Sequence, residues 1–191
     1  IFSNTLQSDV IEQQFLNQLT AGYTLAPGVS EDWSGVVTRD SLLDLGAKII
    51  ASVPVEKQSE YDSPILEGFN NLNIPVETLL NALNSPYFNN QYVTAIGKTE
   101  WASLKWNDQS IAEKKTLINR ADVVFISSDN ATAYQNARDT LTNQKVNDKL
   151  LDCSDAHTWA SPTEKDSLGR CDTWIKADPT FRGLQHALLE Y

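Results

Sequence analysis

The chain contains no methionine, two cysteines and two histidines in 191 residues. Two cysteines, Cys153 and Cys171, cannot build the disulfide framework that staples small secreted domains, so reduced thiols are the expectation. No run of about 18 apolar residues occurs, so the sequence offers no transmembrane helix. The opening Ile1-Phe2-Ser3-Asn4-Thr5 has no basic segment and no cleavage-site pattern, so it does not read as a secretory signal. A cytoplasmic setting is expected. Cations are also scarce: 15 Lys and Arg face 25 Asp and Glu, a formal charge of −10. Such a surface disfavours nonspecific attraction to nucleic-acid phosphates, unless metal ions or local basic patches reverse it. Methionine is missing even at position 1, and the chain opens on apolar residues. The expectation is therefore a later part of a longer polypeptide, read as one domain over 1–191.

The first half carries two clear helix signals and one shorter one. Asp9-Val10-Ile11-Glu12 suggests a capping box at the start of a helix. Residues 21–37, with Gly22, Pro27, Gly28 and Gly35, read as a loop. Thr38 is placed to cap a helix over Arg39–Ala51. Residues 52–73 lack periodicity and read as a surface excursion. A short helix is expected after Pro75.

The second half has a regular rhythm. Strands are expected over Tyr92–Ile96, Val123–Ile126 and Lys149–Cys153. Helices are expected over Asp108–Arg120, Asn130–Leu141 and from Asp178-Pro179, with Asp178 as cap. Alternation of strand and helix implies an α/β fold of parallel βα units, whether open sheet or barrel.

In such folds the loops after the strands' carboxyl ends build the site. Lys98 and Glu100 follow the first strand and are the candidate catalytic groups. Lys98 suits neutralising a substrate phosphate, and Glu100 either binds a metal or pairs with Lys98. Ser127 and Asp129 follow the second strand as candidate substrate contacts, although Asp129 and Asn130 more ordinarily cap a helix. Asp155 and His157 follow the third strand. Two residues apart, a carboxylate and an imidazole project to the same side of an extended chain, a donor pair suited to zinc, manganese or iron. The plain alternative is a capping Asp and a loop His. Arg170 and Lys176 are candidate phosphate contacts, although a lysine before the last helix also suits simple surface snorkelling. Cys153 is either a further ligand or a core thiol. Trp101, Trp106, Trp159 and Trp174 suit base stacking or, more ordinarily, packing. His186, among apolar helix neighbours, reads as structural. Gly97-Lys98-Thr99 lacks the earlier glycine of a phosphate-binding loop.

Ser154-Asp155-Ala156-His157, followed by Thr173-Trp174-Ile175-Lys176-Ala177-Asp178-Pro179-Thr180-Phe181 and Gly183-Leu184, resembles the end of a known domain. It is the PHP (polymerase and histidinol phosphatase) domain of TrlF-like proteins, large bacterial proteins that join it to an AAA-type ATPase. Ala95–Trp101 and Ala121–Phe125 are similar to the same group. The resemblance implies part of a distorted (βα)7 barrel, with Asp155 and His157 matching the family's last metal motif. It implies divalent Mn, Zn or Fe as cofactors, with ATP used only by a separate domain. It implies a metal-dependent phosphoesterase or nuclease, with the ATPase domain of the same polypeptide as partner and a nucleic-acid substrate, as in phage defence. A homo-oligomer is compatible with it. The family's His-x-His, which lies near the domain's start, does not occur here, so this stretch alone is expected to be inactive. The rival expectation is a degenerate PHP scaffold regulating the ATPase. A nucleotide-binding domain of another class would need a glycine-rich turn that the sequence does not show.

Overall fold

The computed structural model describes residues 1–24, 32–154, 156, 158–159, 167–169 and 173–191. The chain forms two compact units, Asn4–Gln91 and Ile1–Ser3 with Tyr92–Tyr191.

The unit Asn4–Gln91 begins with α1 (Ser8–Gln14). The expected capping box is absent: Gln7 is the N-cap, and Asp9 lies inside the first turn, where its carboxylate accepts from Val10 N–H. The expected loop over 21–37 contains an antiparallel hairpin, β1 (Thr20–Thr24) and β2 (Asp32–Val36), in register Ala21↔Gly35 and Tyr23↔Trp33. Ala21 and Trp33 pack on Leu45 and Ile49 of α2 (Arg39–Ala51). The Trp33 indole also donates to Asp44 Oδ2 at 2.9 Å, and this bond holds the Asp44 carboxyl below the usual range. Thr38 caps α2 as its sequence predicts: Thr38 Oγ1 accepts from Ser41 N–H, and Ser41 Oγ accepts from Thr38 N–H.

The expected excursion over 52–73 holds two helices, α3 (Val55–Gln58) and α4 (Pro64–Asn70). Helix α4 packs against α2 with almost no side-chain spacing, Gly68 against the Leu42 backbone and Gly46 against the Pro64 carbonyl. Helix α5 (Val76–Leu83) follows Pro75 as expected.

The other unit carries β3 (Ala95–Ile96), α6 (Lys98–Trp101), α7 (Ile111–Arg120), β4 (Val123–Ile126), α8 (Ala131–Gln144), β5 (Leu150–Asp152) and α9 (Phe181–Leu189). Its sheet runs β3-β4-β5 with both pairings parallel. Among the described residues this is an open three-stranded sheet. The first expected strand is shorter than its sequence suggests. Tyr92 instead pairs antiparallel with Phe2, and Ile1 and Val93 exchange backbone hydrogen bonds of 2.9 Å.

Strand β4 is buried on both faces, which is why its sequence reads Val-Val-Phe-Ile. Val124, Ile126 and Leu150 pack on one face with Trp101, Ile118 and Leu141 from α6, α7 and α8. Val123, Phe125 and Leu151 pack on the other with Phe181, Leu184 and Leu188 of α9. Helix α9 is capped by Thr180, whose Oγ1 accepts from Gly183 N–H at 3.0 Å, and not by Asp178. Asp178 lies two residues before this cap, and its carbonyl accepts from Thr180 N–H at 2.7 Å. Among the described residues, no helix is long and apolar enough to cross a membrane.

Candidate functional site

Because β3, β4 and β5 are parallel, their carboxyl ends share one rim. The structure stitches this rim together with side chains from the predicted loops. After β3, Lys98 Nζ donates to the Ser127 carbonyl at 2.8 Å, so the candidate catalytic lysine joins the first strand end to the second. Glu100 does not pair with Lys98: its Oε1 accepts from Thr99 Oγ1 at 2.7 Å, and its carboxylate lies over Gly97, where a Cβ would collide with it.

After β4, Ser128 N–H donates to Asp152 Oδ1 at 2.8 Å, which joins the second strand end to the third. Asn130 takes the ordinary role: its Oδ1 accepts from Ala133 N–H at 2.9 Å and caps α8. Asp129 is exposed beside it. The Ser128 hydroxyl is buried and, among the described residues, has no hydrogen-bond partner.

After β5, Cys153 N–H donates to the Ile126 carbonyl at 2.6 Å and extends the ladder by one residue, while its half-buried thiol lies 3.9 Å from the Leu151 carbonyl. Ser154 follows. Asp155, His157, Arg170 and Cys171 lie outside the described residues. Among the described residues, no group of three or more His, Cys, Asp and Glu side chains is placed to hold a metal. The carboxylates of Glu100 and Asp152 are engaged with Thr99 and Ser128, as given above. The described residues therefore do not by themselves form a metal site.

Beside the rim, a cleft of about 570 Å³ lies along the outer edge of β5, which no strand pairs among the described residues. The start of α8, residues 173–176 and the last turns of α9 enclose it. Of the predicted substrate contacts, Asp129 and Lys176 both line it. Ser127 is instead held by Lys98 at the rim. Sequence reasoning missed Tyr134, Asp152, Thr173 and Tyr191, which build the cleft. Tyr134 Oη donates to the Leu150 carbonyl at 2.9 Å, and Tyr191 Oη reaches the same carbonyl at 3.3 Å. Burial, and then the neighbouring Tyr191 hydroxyl, push the Tyr134 phenol up to about 12. An acid at the end of an apolar strand was the one available signal for Asp152.

The tryptophans divide. Trp101 is buried and donates its indole N–H to the Phe125 carbonyl at 2.8 Å, and Trp106 packs on the same core. Trp159 and Trp174 are 85% and 93% exposed, so packing does not explain them. His186 faces solvent on α9, with Nδ1 3.7 Å from Glu190, and is not part of the core its neighbours suggested. Its helical position places it opposite the Leu184–Leu188 stripe. No protein-family model matches the chain, and neither a curated protein nor a solved structure was found to match it.

Proposed function

We propose that the unit carrying β3, β4 and β5 belongs to a PHP-type metal-dependent phosphoesterase that acts on nucleic acid or nucleotide phosphate. One observation carries this reading: three parallel strands end together on a rim, and the last of them leads directly into Ser154-Asp155-Ala156-His157. On this reading the open sheet is part of a distorted (βα)7 barrel. Asp155 and His157 would hold a divalent Mn, Zn or Fe ion together with ligands from the segment that the resemblance places upstream of Ile1. When bound, the metal would supply an activated water and neutralise charge on the phosphate.

The chain's own residues have narrower tasks. Lys98, held at the Ser127 carbonyl, places a positive charge on the rim where a phosphate oxygen would lie. The Asp152 carboxylate fixes the turn after β4 through Ser128 N–H, and so positions Asp129. Lys176 borders the adjoining cleft. An ATPase domain of the same polypeptide would be the partner.

The decisive experiment uses the full-length polypeptide. Metal content is measured after purification, and hydrolysis of phosphodiester and phosphomonoester substrates is assayed with Mn, Zn and Fe. Bound metal, with hydrolysis lost in Asp155→Ala and His157→Ala, is expected. A well-folded protein without metal and without hydrolysis would refute the reading. It would favour a second one, a degenerate scaffold that regulates the ATPase. The engagement of Lys98 and Asp152 with rim backbone speaks for that alternative.

A further inference from the structure

We infer that a hollow bordered by the ends of α1 and α5 is a binding site for a small neutral sugar. It lies wholly within the unit Asn4–Gln91 and does not rest on the phosphoesterase reading.

Gln14 is the last residue of α1, and Gln18 is the last of the 3-10 turn Leu16–Gln18. Thr78 and Asn81, three residues apart, share one face of α5. Asn84 caps the carboxyl end of that helix, and Ser85 follows it. These six residues line a hollow of about 540 Å³, within the size range of small-ligand sites. Ala82 also lines it and is buried, and its methyl takes up little room. The polar side chains are available. Among the described residues, the carboxamides of Gln14, Asn81 and Asn84 and the hydroxyls of Thr78 and Ser85 make no hydrogen bond. Gln18 makes one long bond, from Nε2 to the Gln13 carbonyl at 3.4 Å.

The class of ligand follows from these donors and acceptors. A carboxamide presents N–H donors and a carbonyl acceptor side by side, and a hydroxyl does both with one atom. The adjacent hydroxyls of a sugar ring call for that same pairing. A phosphate or carboxylate calls for cations, and the six side chains are uncharged. The carboxyl ends of α1 and α5 both border the hollow, and the negative ends of their dipoles further oppose an anion. An extended peptide also pairs with carboxamides. The lining, however, comes from two short segments, 14–18 and 78–85, which suits a compact ring better than an extended chain.

The test is calorimetric titration of the full chain with glucose, galactose, N-acetylglucosamine and maltose. Glucose 6-phosphate and the capped neutral peptide N-acetyl-triglycine amide serve as contrasts. Saturable binding of at least one neutral sugar is expected, with no gain from the phosphate and no saturation by the peptide. Asn81→Leu, at an exposed position, should weaken binding about five-fold, the loss of one hydrogen bond, and Gln18→Met should act likewise. Unchanged melting temperatures show that both variants fold. Asn143→Leu, an exposed carboxamide in the other unit, should change nothing. The inference is overturned if no neutral sugar saturates, if the phosphate tightens binding, if the peptide saturates in place of the sugars, or if Asn81→Leu and Gln18→Met both bind as the parent does.

Discussion

Replacing Gly68 with alanine should destabilise the unit Asn4–Gln91, although the same change in an exposed helix stabilises. Gly68 lies within α4, where alanine gains about 1 kcal/mol in helix propensity. Its missing Cβ, however, is where the Leu42 backbone of α2 sits. To restore even a tight van der Waals contact, Leu42 and the new methyl must part by about 1.5 Å. The obstacle is a backbone carbonyl, not the tip of a flexible side chain, so the two helices must separate as bodies. Overpacking of this kind costs about 3 kcal/mol, the upper end of its usual range. After the propensity gain, a net loss of about 2 kcal/mol remains. For a unit of this size that lowers the melting temperature by about 10 °C. Hydrogen exchange read on peptides from α2 and α4 isolates the effect, because amides of the other unit serve as internal reference. Faster exchange in both helices is expected. Unchanged protection, or a stability gain near 1 kcal/mol, would show that the helices are not in backbone contact.

Other outcomes follow from the second unit. The raised Tyr134 phenol favours its neutral form in the folded protein. Its contribution to stability is thus complete below pH 10, and is lost as pH rises toward 12, because the unfolded chain gives up its proton first. Urea midpoints should fall across that window, and Tyr134→Phe should flatten the fall; an equal slope in both proteins would refute the assignment. Lys98→Met removes the bond to the Ser127 carbonyl and should lower stability by no more than about 1 kcal/mol, since the lysine is exposed. If the rim handles phosphate, the same variant should lose at least about ten-fold in kcat/KM, the effect of one charge-stabilising donor. Unchanged turnover would remove Lys98 from the site. Lys145 ends α8 in the left-handed region, at φ 56°. Lys145→Gly should raise the urea midpoint by about 0.5–1 kcal/mol of stability, and a drop would mean that the lysine side chain is held by a contact.

What the sequence discloses follows from where its signals are local. Strand β4 and the Thr38 cap are legible because a β-branched run and a capping hydroxyl act on their immediate neighbours. The hairpin is illegible because its glycines look like loop punctuation. In the structure the Trp33 ring lies across Gly35, 3.0 Å from where a Cβ would stand, so this glycine makes room for the indole. Gly68 lies in the stretch whose missing periodicity reads as an excursion, yet it marks a helix–helix contact. The polar rim is legible because parallel strands put their loops together. The cleft is not, because Tyr134, Asp152, Trp174 and Tyr191 meet only through tertiary packing.

The outer edge of β5, which no strand pairs among the described residues, bears most directly on the barrel proposal. In a closed barrel each strand is paired on both sides. Along the outer edge of β5, a single hydroxyl does part of a strand's work: Thr173 Oγ1 accepts from Asp152 N–H and donates to the Asp152 carbonyl, both at 2.8 Å. Tyr134 and Tyr191 supply the Leu150 carbonyl two residues earlier. Side-chain hydroxyls thus satisfy the backbone groups that a neighbouring strand would otherwise take. A further strand can join here only by displacing Thr173, and with it the wall of the cleft that carries Trp174. Closure on this side and the cleft are therefore competing uses of one edge. The hydroxyl bonds favour the cleft, while on the other side of the sheet Ile1 and Phe2 pair with Val93 and Tyr92.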